Sequence, residues 1–329
     1  MTTRNRLGLA AALVAFAAAA FAPQAQAQAP AFPTKPVRWV VGYPAGGGTD
    51  FLARTAGAQL SQQLGQPVLV DNRPGAGAII ASENVARSPG DGYTVFSADN
   101  GVLVYNPALY KKLPYDAEKD FAMVGMMGRS TLVITAAPNA GLADAKALIA
   151  ALKASPGKYS IATPGTGSPH HLALELFQRE AGVSLLHVPY KGGAPALQDL
   201  MGGQVPLMML DLPSGVSAVK AGKVVPLMTM GAERIPQLPN VPTAKELGYA
   251  GVEAYTWQGL VVPAATAKDV QARLGADLQK TMADAGVRQK LFDAGWEARP
   301  ADGAEMVRFV DAERKKWHAL IKARDIKLD

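Results

Sequence analysis

The chain contains no cysteine among its 329 residues. Disulfide bonds, thiolate nucleophiles and cysteine-ligated metal sites are therefore excluded. A bacterial lipoprotein also needs an acylated cysteine just after its signal sequence, so we expect a protein without a lipid anchor. Because exported proteins do not all carry disulfides, the absence of cysteine does not argue against export.

Two sequence patterns of common enzymes are missing as well. No Gly-Lys-Ser/Thr sequence follows a glycine run, and no Gly-x-Ser-x-Gly nucleophile elbow occurs. Ser168, His171 and Asp211 are the residue types of a hydrolase triad, but their spacing in the sequence does not favour one. We therefore expect a protein that is not an enzyme and has no catalytic residues.

Nucleic-acid and metal sites are not indicated either. Basic residues are scattered except at 314–316, and no basic stripe is interleaved with aromatic residues. The adjacent His170 and His171 would point about 100° apart on a helix, so they cannot face one metal ion together. We expect no nucleic-acid partner, no metal and no cofactor.

Long apolar runs are absent after the first residues. Arg4 and Arg6 precede an apolar run at 7–22 that is shorter than the roughly 20 residues needed to span a membrane. Small residues follow it, with cleavage expected after Ala27 or, alternatively, after Ala29. This pattern predicts a secretory signal peptide over 1–27 and a periplasmic protein; the alternative is a retained membrane anchor.

A unit of strand, glycine loop and helix occurs twice in the first half of the remaining chain. The first unit has a strand at 37–43, glycines at 46–48, and a helix that Gly65 ends. The second has a strand at 67–70, glycines in the loop 73–78, and a helix through about Ala86. A third strand at 93–96 follows.

The same plan returns further along the chain. Its predicted segments are a strand at 159–162, a loop at 164–167, a helix capped by Ser168 with Pro169 in its first turn and ended by Gly182, a strand at 185–188, a glycine loop at 191–193 and a helix at 194–201. Strands that alternate with helices predict α/β lobes whose parallel sheets are covered on both faces.

Two such units in one chain predict two lobes joined by a hinge. We expect the first part of lobe one at 28–126, lobe two at 127–252, and a return crossover followed by C-terminal helices that pack on lobe one at 253–329. The C-terminal segment from 267 to 323 is predicted to be helical with little strand. A monomer is expected.

Each glycine loop lies at the carboxyl end of a strand, directly before a helix. Unpaired N–H groups of the first helical turn and the helix dipole would favour a carboxylate there. The alternative is that the glycines at 46–48 and 165–167 only form tight turns. If they bind a ligand, valine in place of Gly47 or Gly167 should abolish binding and leave folding largely intact.

Three acidic residues also lie near these loops. Asp50 follows the first glycine run and could simply favour the helix dipole. Asp99 and Asp211 each follow a strand and could accept a hydrogen bond from a ligand amine or hydroxyl, or could be turn residues. Selectivity is expected to lie in side chains such as Tyr43, Asp99, Asp211 and Trp257.

Several segments of the chain together resemble the Bug family, the substrate-binding proteins of tripartite tricarboxylate transporters. The matching segments are Tyr43 to Asp50 with Ala53-Arg54, Asp71 to Gly77, Asp91 to Thr94, Asn106-Pro107, Gly165 to Ser168 before His171-Leu172, Pro189 to Gly192, and Gly202 to Val205. The resemblance extends over essentially the whole chain after the signal peptide.

The resemblance implies a type II periplasmic-binding fold in which loops of both lobes hold a ligand carboxylate. It implies a small carboxylate ligand and a membrane permease as partners; the alternative is a co-receptor that signals to a sensor kinase. The predicted ligand-binding residues are Tyr43, Gly46, Gly47, Gly48, Asp50, Ala76, Gly77, Asp99, Gly165, Thr166, Gly167, Ser168, Lys191, Gly192 and Asp211. Family members tend to have a Ser/Thr-rich loop after the third strand, and here Asp99 lies in that loop.

Overall fold

The first sheet is built from three parallel strands and the helices between them. A computed structural model describes residues 32–328, and its first elements are β1 (Val37–Val41), α1 (Gly48–Leu64), β2 (Val68–Asn72), α2 (Ile79–Ala86) and β3 (Thr94–Asp99). A short 3₁₀ turn, Ala76–Ala78, precedes α2, and a π-helical turn, Gly101–Tyr105, leads from β3 into α3 (Asn106–Leu109). β1 lies between β2 and β3 and is parallel to both.

A long strand connects the first sheet to the second. β4 (Phe121–Ala136) pairs antiparallel with β9 (Tyr255–Pro263) through Thr131, and its last residues, from Leu132, pair with β7 (Leu207–Asp211). β9 also pairs antiparallel with β3. The chain therefore passes from one sheet to the other within β4 and returns to the first sheet through β9.

The second sheet repeats the parallel arrangement of the first. Its elements are α4 (Ala145–Ala154), β5 (Ser160–Thr163), α5 (Pro169–Ala181), β6 (Leu186–Pro189), α6 (Gly193–Met201), β7, α7 (Leu212–Lys220) and β8 (Val225–Thr229). β5 lies between β6 and β7 and is parallel to both, whereas β8 is antiparallel to β4. The predicted parallel strands are present, but each sheet is mixed, because both connecting segments enter as antiparallel strands.

We call the part of the fold around β1, β2, β3 and β9 lobe one, and the part around β5, β6 and β7 lobe two. Because β4 changes its pairing partner between Thr131 and Leu132, the change of sheet lies inside one strand. The predicted limits of the lobes at 126/127 and 252/253 stay predictions.

The C-terminal segment returns to lobe one. It comprises α8 (Lys268–Ala283), α9 (Ala285–Asp293), β10 (Glu297–Asp302) and α10 (Gly303–Ala323). β10 is antiparallel to β4, so this segment contributes a strand to the first sheet as well as helices.

Sequence signals for helix ends agree with the structure. Ser168 accepts a hydrogen bond from the His171 N–H and caps α5, with Pro169 as the first helical residue. Gly65 and Gly182 end α1 and α5 in the left-handed conformation, at φ 68° and φ 61°. These glycines fix where each helix stops.

Large side chains fill the interior beneath the helices. Trp39 packs in lobe one with residues of α1 and α8, and Phe177 of α5 packs in lobe two. Trp257, considered above as a selectivity residue, is 1% exposed, and its Nε1 donates to the Glu313 carboxylate at 3.3 Å. It belongs to the core beneath α10.

Within residues 32–328, no helix is both long and apolar enough to cross a membrane. The predicted signal peptide over 1–27 lies outside the described residues.

Candidate ligand-binding site

The loop between β1 and α1 is shaped by Asp50. The Asp50 carboxylate accepts hydrogen bonds from the Gly46 N–H, from Arg54 Nε and from Asn72 Nδ2, each at 2.9 Å. Burial raises the Asp50 pKa, but these hydrogen bonds and the Arg54 charge outweigh it and hold the pKa below its usual value. Asp50 is therefore ionised, and its carboxylate oxygens fix the loop through hydrogen bonds to groups of lobe one.

Glycines in this loop differ in how close their neighbours lie. Gly46 has φ +84° and no heavy atom within 4 Å of an added Cβ. Gly47 has φ −79°, which any residue adopts, and an added Cβ would lie 3.5 Å from the Pro44 oxygen. Gly48 is confined, because an added Cβ would lie 3.0 Å from Pro213 Cβ.

The confinement of Gly48 comes from lobe two. Pro213 is in the first turn of α7, and Asp211 Oδ2 lies 3.7 Å from the same added Cβ. Trp296 Nε1 also donates to the Gly48 oxygen at 3.2 Å. The start of α1 therefore meets the start of α7 across the cleft between the lobes.

The loop before α2 has an unusual backbone. Ala76, Gly77 and Ala78 all have positive φ, at 48°, 61° and 67°, which is uncommon for alanine and costs about 1 kcal/mol or more per residue. Asn106 Nδ2 supports the turn by donating to the Gly77 oxygen at 3.2 Å. The role of Ala76 and Gly77 in ligand binding stays a prediction.

Tyr43 and Asp99 form a buried pair. The Tyr43 hydroxyl donates to Asp99 Oδ2 at 2.5 Å, and the Val102 N–H donates to Oδ1 at 3.0 Å. Burial raises the pKa of Asp99 and that of Tyr43. With 4% of its surface exposed, Asp99 supports the turn after β3 and holds Tyr43 in place.

In lobe two, the loop before α5 is closed by its own hydrogen bonds. The Ser168 hydroxyl donates to the Gly165 oxygen at 2.7 Å, and the Gly167 N–H donates to His171 Nδ1 at 3.1 Å. Thr166 is exposed.

Gly167 is also enclosed by side chains from elsewhere in the chain. At φ +75°, an added Cβ would lie 2.7 Å from Leu328 Cδ1 and 3.0 Å from Leu109 Cδ1. A valine at Gly167 would therefore have a strained backbone and would crowd Leu328 and Leu109, whereas the geometry of Gly47 allows a side chain.

Two histidines stack behind this loop. The rings of His171 and His187 lie 4.1 Å apart at 12°, and His187 Nε2 is 2.7 Å from the Thr163 hydroxyl. Burial lowers the pKa of each histidine to about 4, so both are neutral at pH 7. A neutral His171 accepts the Gly167 N–H and holds the loop closed.

The loop before α6 presents a cation at the surface. Lys191 is exposed, and the Gly192 N–H donates to the Pro164 oxygen at 2.9 Å. Gly192, at φ +118°, has no heavy atom within 4 Å of an added Cβ. The 164–167 and 191–192 loops of lobe two are thus adjacent.

Asp211 pairs with His170 rather than with His171. Its Oδ1 lies 2.9 Å from His170 Nε2, and its Oδ2 accepts from the Ser214 hydroxyl at 2.9 Å. Burial raises the Asp211 pKa, but the contacts with His170 and Ser214 outweigh it and lower the pKa overall. The Ser168, His171 and Asp211 triad is not assembled, because Ser168 and His171 bond within the 165–171 segment.

Sequence reasoning missed Gln258 and Pro213. Gln258, on the return strand β9, is 3% exposed and donates from Nε2 to the Thr49 hydroxyl at 3.0 Å. A polar residue within an otherwise apolar strand was the available signal for Gln258. Among the described residues, no group of three or more histidines and acids is arranged to hold a metal ion.

Comparisons with known proteins agree on one family. Residues 52–326 match the model of the tripartite tricarboxylate transporter family receptor. Protein BugT of Bordetella pertussis is 32% identical over 305 residues, covering 92% of this chain and 94% of its own.

Solved structures of similar proteins indicate the same family. An R. palustris protein solved with adipate is 33% identical at a TM-score of 0.84 and covers 88% of this chain and 97% of its own. MatC from Rhodopseudomonas palustris with bound malate is 31% identical at a TM-score of 0.80 and covers 88% of this chain and 100% of its own. The chain therefore belongs to the tripartite tricarboxylate transporter receptor family, periplasmic solute-binding proteins with a two-lobe α/β fold that are not enzymes.

Proposed function

We propose that this protein captures a small carboxylate-bearing ligand between its two lobes and delivers it to a membrane permease of the tripartite tricarboxylate transporter type. The observation that carries the proposal is the closeness of Gly48 in lobe one to lobe two, since an added Cβ there would lie 3.0 Å from Pro213 Cβ and 3.7 Å from Asp211 Oδ2. A ligand at this junction touches both lobes at once. It therefore favours the closed arrangement by differential affinity.

Backbone donors at the start of α1 support a carboxylate as the ligand. The first N–H groups of a helix have no intrahelical acceptor, and the helix dipole favours negative charge there. Asp50 is already bonded to Gly46, Arg54 and Asn72, so it holds the loop without covering these donors. The strained turn at Ala76–Ala78 supplies further backbone groups on the same lobe.

Relatives support the same ligand class. Adipate and malate, bound by two of the similar proteins, are both small dicarboxylates. Delivery to a permease rests on the family description, which names a transporter receptor. Export through the signal peptide at 1–27 would bring the protein to the periplasm, where it would act without a lipid anchor.

A ligand screen tests the proposal directly. Thermal unfolding of the protein is measured with mono-, di- and tricarboxylates, and each hit is confirmed by titration calorimetry. A ligand that binds only the folded state raises the melting temperature by mass action. We expect at least one carboxylate with a micromolar Kd that is recovered unchanged after incubation.

Gly47→Val locates the site. Its backbone accepts a side chain, so we expect an unchanged melting temperature and at least a tenfold loss of affinity, because the valine covers the α1 donors. Gly286→Val, in the first turn of α9, is the matched control and should keep full affinity. Full affinity in Gly47→Val would remove the site from this loop.

Delivery needs a separate experiment in cells. Deleting the gene should abolish uptake of the labelled ligand, and the wild-type gene should restore uptake. Normal uptake in the deletion strain, with ligand-dependent gene expression lost instead, would show a signalling role and overturn delivery.

A further inference from the structure

The turn between α9 and β10 reaches the start of α1. It comprises residues 294–296, and Trp296, its last residue, has 2% of its surface exposed. Trp296 Nε1 donates to the Gly48 oxygen at 3.2 Å, and Trp296 Cζ2 lies 3.6 Å from the Cβ position of Gly48. Two residues 248 positions apart in the chain therefore meet in the first turn of α1.

The Gly48 oxygen belongs to the same peptide group as the Thr49 N–H. In a regular helix such an oxygen accepts the N–H four residues further on, and its second lone pair stays available for Trp296. The N–H groups of Gly48, Thr49 and Asp50 have no acceptor within residues 32–328. A donor on the oxygen of a peptide group polarises that group, so the Thr49 N–H becomes a stronger donor for a ligand.

The backbone of the turn is fixed where the chain passes from one sheet to the other. The hydroxyl of Ser130, a residue of β4 that is 1% exposed, donates to the Gly295 oxygen at 3.0 Å. β4 changes its pairing partner between Thr131 and Leu132, immediately after this residue. The position of Trp296 is therefore tied to the crossing point between the two lobes.

Gly295 brings the same turn against lobe two. Its φ is +85°, and an added Cβ would lie 2.9 Å from Leu212 Cγ and 3.0 Å from the Leu212 carbonyl carbon. Leu212 is the first residue of α7 and directly follows Asp211. Glycine permits this close approach, so the turn lies between the start of α7 and the start of α1.

The indole N–H distinguishes Trp296 from the other tryptophans. All four tryptophans of the chain are buried. Trp257 and Trp317 both donate to the Glu313 carboxylate, and Trp39 donates to a serine hydroxyl of β3. Trp296 instead donates to the main chain in the first turn of a helix. An apolar residue would fill the same space, so the feature that needs a function is the N–H.

We propose that Trp296 is a positioning residue for ligand binding: its indole N–H fixes and polarises the Gly48–Thr49 peptide group, so that the Thr49 N–H is ready to bind a ligand carboxylate. The inference rests on the proposed binding function and adds a residue that acts through α1. Because the peptide group is held in advance, the ligand does not bear the cost of ordering it.

Trp296→Phe keeps an aromatic ring in the space and removes the N–H. Affinities are measured by calorimetry for acetate, malate, adipate and citrate. We expect about fivefold weaker binding of each acid that the wild-type protein binds, as for one neutral hydrogen bond. Trp317→Phe is the matched control, because it removes a buried indole donor that bonds to Glu313 beneath α10. It should keep full affinity.

A spectroscopic readout separates positioning from a general loss of stability. In the proton–nitrogen correlation spectrum of the unliganded protein, the Thr49 amide nitrogen should move upfield in Trp296→Phe, because its peptide group has lost the donor on the oxygen. The same resonance should stay in place in Trp317→Phe. An unmoved Thr49 resonance in Trp296→Phe would overturn the polarisation of this peptide group, whichever acid binds.

Ser130→Ala tests the tie to β4 and decides the matter if Trp296→Phe does not fold. It removes the hydroxyl that holds Gly295, so we expect about threefold weaker binding of the same acids. The double variant should bind no more weakly than Trp296→Phe alone, because both changes act on the same peptide group. Unchanged affinity in Ser130→Ala, or losses that multiply in the double variant, would overturn this route.

The outcomes separate this inference from the proposed function. Wild-type affinity in a folded Trp296→Phe variant overturns the positioning role and leaves carboxylate binding intact. Absence of binding of every acid by the wild-type protein refutes the proposed function, and the role of Trp296 in ligand binding is refuted with it.

Discussion

The glycine loops that precede α1 and α5 have similar sequences but different surroundings. In the α1 loop, Gly46 and Gly47 have room for a side chain, and only Gly48 is confined, by lobe two. In the α5 loop, the Gly167 N–H is bonded to His171 and the space beside it is filled by Leu109 and Leu328.

This difference shows that a glycine loop at a helix start has two distinct uses. At Gly47, glycine keeps the backbone accessible, which suits the binding of a ligand. At Gly167, glycine lets Leu328, near the end of the chain, pack directly on lobe two. The Leu328 N–H also donates to the Leu109 oxygen at 3.0 Å, so the α5 loop is held by lobe one and the C-terminal residues together.

The largest expected effect is on the stability of Gly167→Ala. Both the left-handed backbone and the contact with Leu328 oppose a side chain, so we expect a loss of about 3 kcal/mol in unfolding free energy. Urea denaturation measures it. Gly141→Ala is the matched control, because Gly141 has φ +69° and nothing within 4 Å of an added Cβ, and it should cost about 1 kcal/mol.

Equal losses of unfolding free energy in the two alanine variants would mean that the packing around Gly167 contributes nothing to stability. The proposed difference between the two loops would then be wrong. A second test uses Leu328→Ala in the Gly167→Ala background. Removing the Leu328 side chain should recover part of the lost stability, because the added methyl group then has space.

A pH dependence should arise from the α5 loop. The pKa of His171 is lowered to about 4 in the folded protein from 6.5, so the unfolded chain binds more protons between these values. Stability from this residue is fully present above about pH 6.5 and is lost as the pH falls toward 4. Between pH 7 and pH 5 His171 should account for a loss of about 2 kcal/mol, and His187, whose pKa is also lowered to about 4, should add a similar amount to the total measured by urea denaturation.

His171→Gln is the variant that tests this assignment. Glutamine can still accept the Gly167 N–H but does not titrate, so the drop between pH 7 and pH 5 should shrink by about 2 kcal/mol. The aspartates with lowered pKa values lose their contribution only below about pH 4, outside this window. An unchanged drop in the variant would exclude His171 as the cause.

Most of the fold was predictable from the sequence, because local sequence signals for strands, helices and helix ends agree with the observed elements. Strand–loop–helix units, the Ser168 cap and the terminal Gly65 and Gly182 all occur where expected. The antiparallel entry of β4 and β9 was not predictable, since strand direction in a sheet depends on partners that are distant in the chain.

The candidate site was predictable only in part, for a similar reason. Glycine loops are visible in the sequence, but whether space beside them is open depends on residues such as Pro213 and Leu328. The pairing of Asp211 with His170 also depends on how α5 packs against β7. Such contacts are set by tertiary packing and leave no local pattern.

Gly48→Ala tests whether the close approach of the α1 loop to lobe two matters for ligand binding. The added Cβ would lie 3.0 Å from Pro213 Cβ, a ring atom that moves little, so the lobes must separate slightly. We expect a several-fold loss of ligand affinity, about 1 kcal/mol, with unchanged stability of the unliganded protein. Calorimetry measures the affinity, and small-angle scattering should show weaker compaction on ligand addition; unchanged values would mean that closure does not involve this contact.

The smallest expected effect concerns the ion pair between α5 and the end of α10. Arg324 lies 2.6 Å from Glu175 Oε2, but its side chain is 39% exposed, so water and salt screen the attraction. Arg324→Ala should lower the unfolding free energy by less than about 1 kcal/mol, and 0.5 M NaCl should reduce the difference further. A larger, salt-insensitive loss would mean that charge rather than the packing of Leu328 holds the C-terminal residues on the α5 loop.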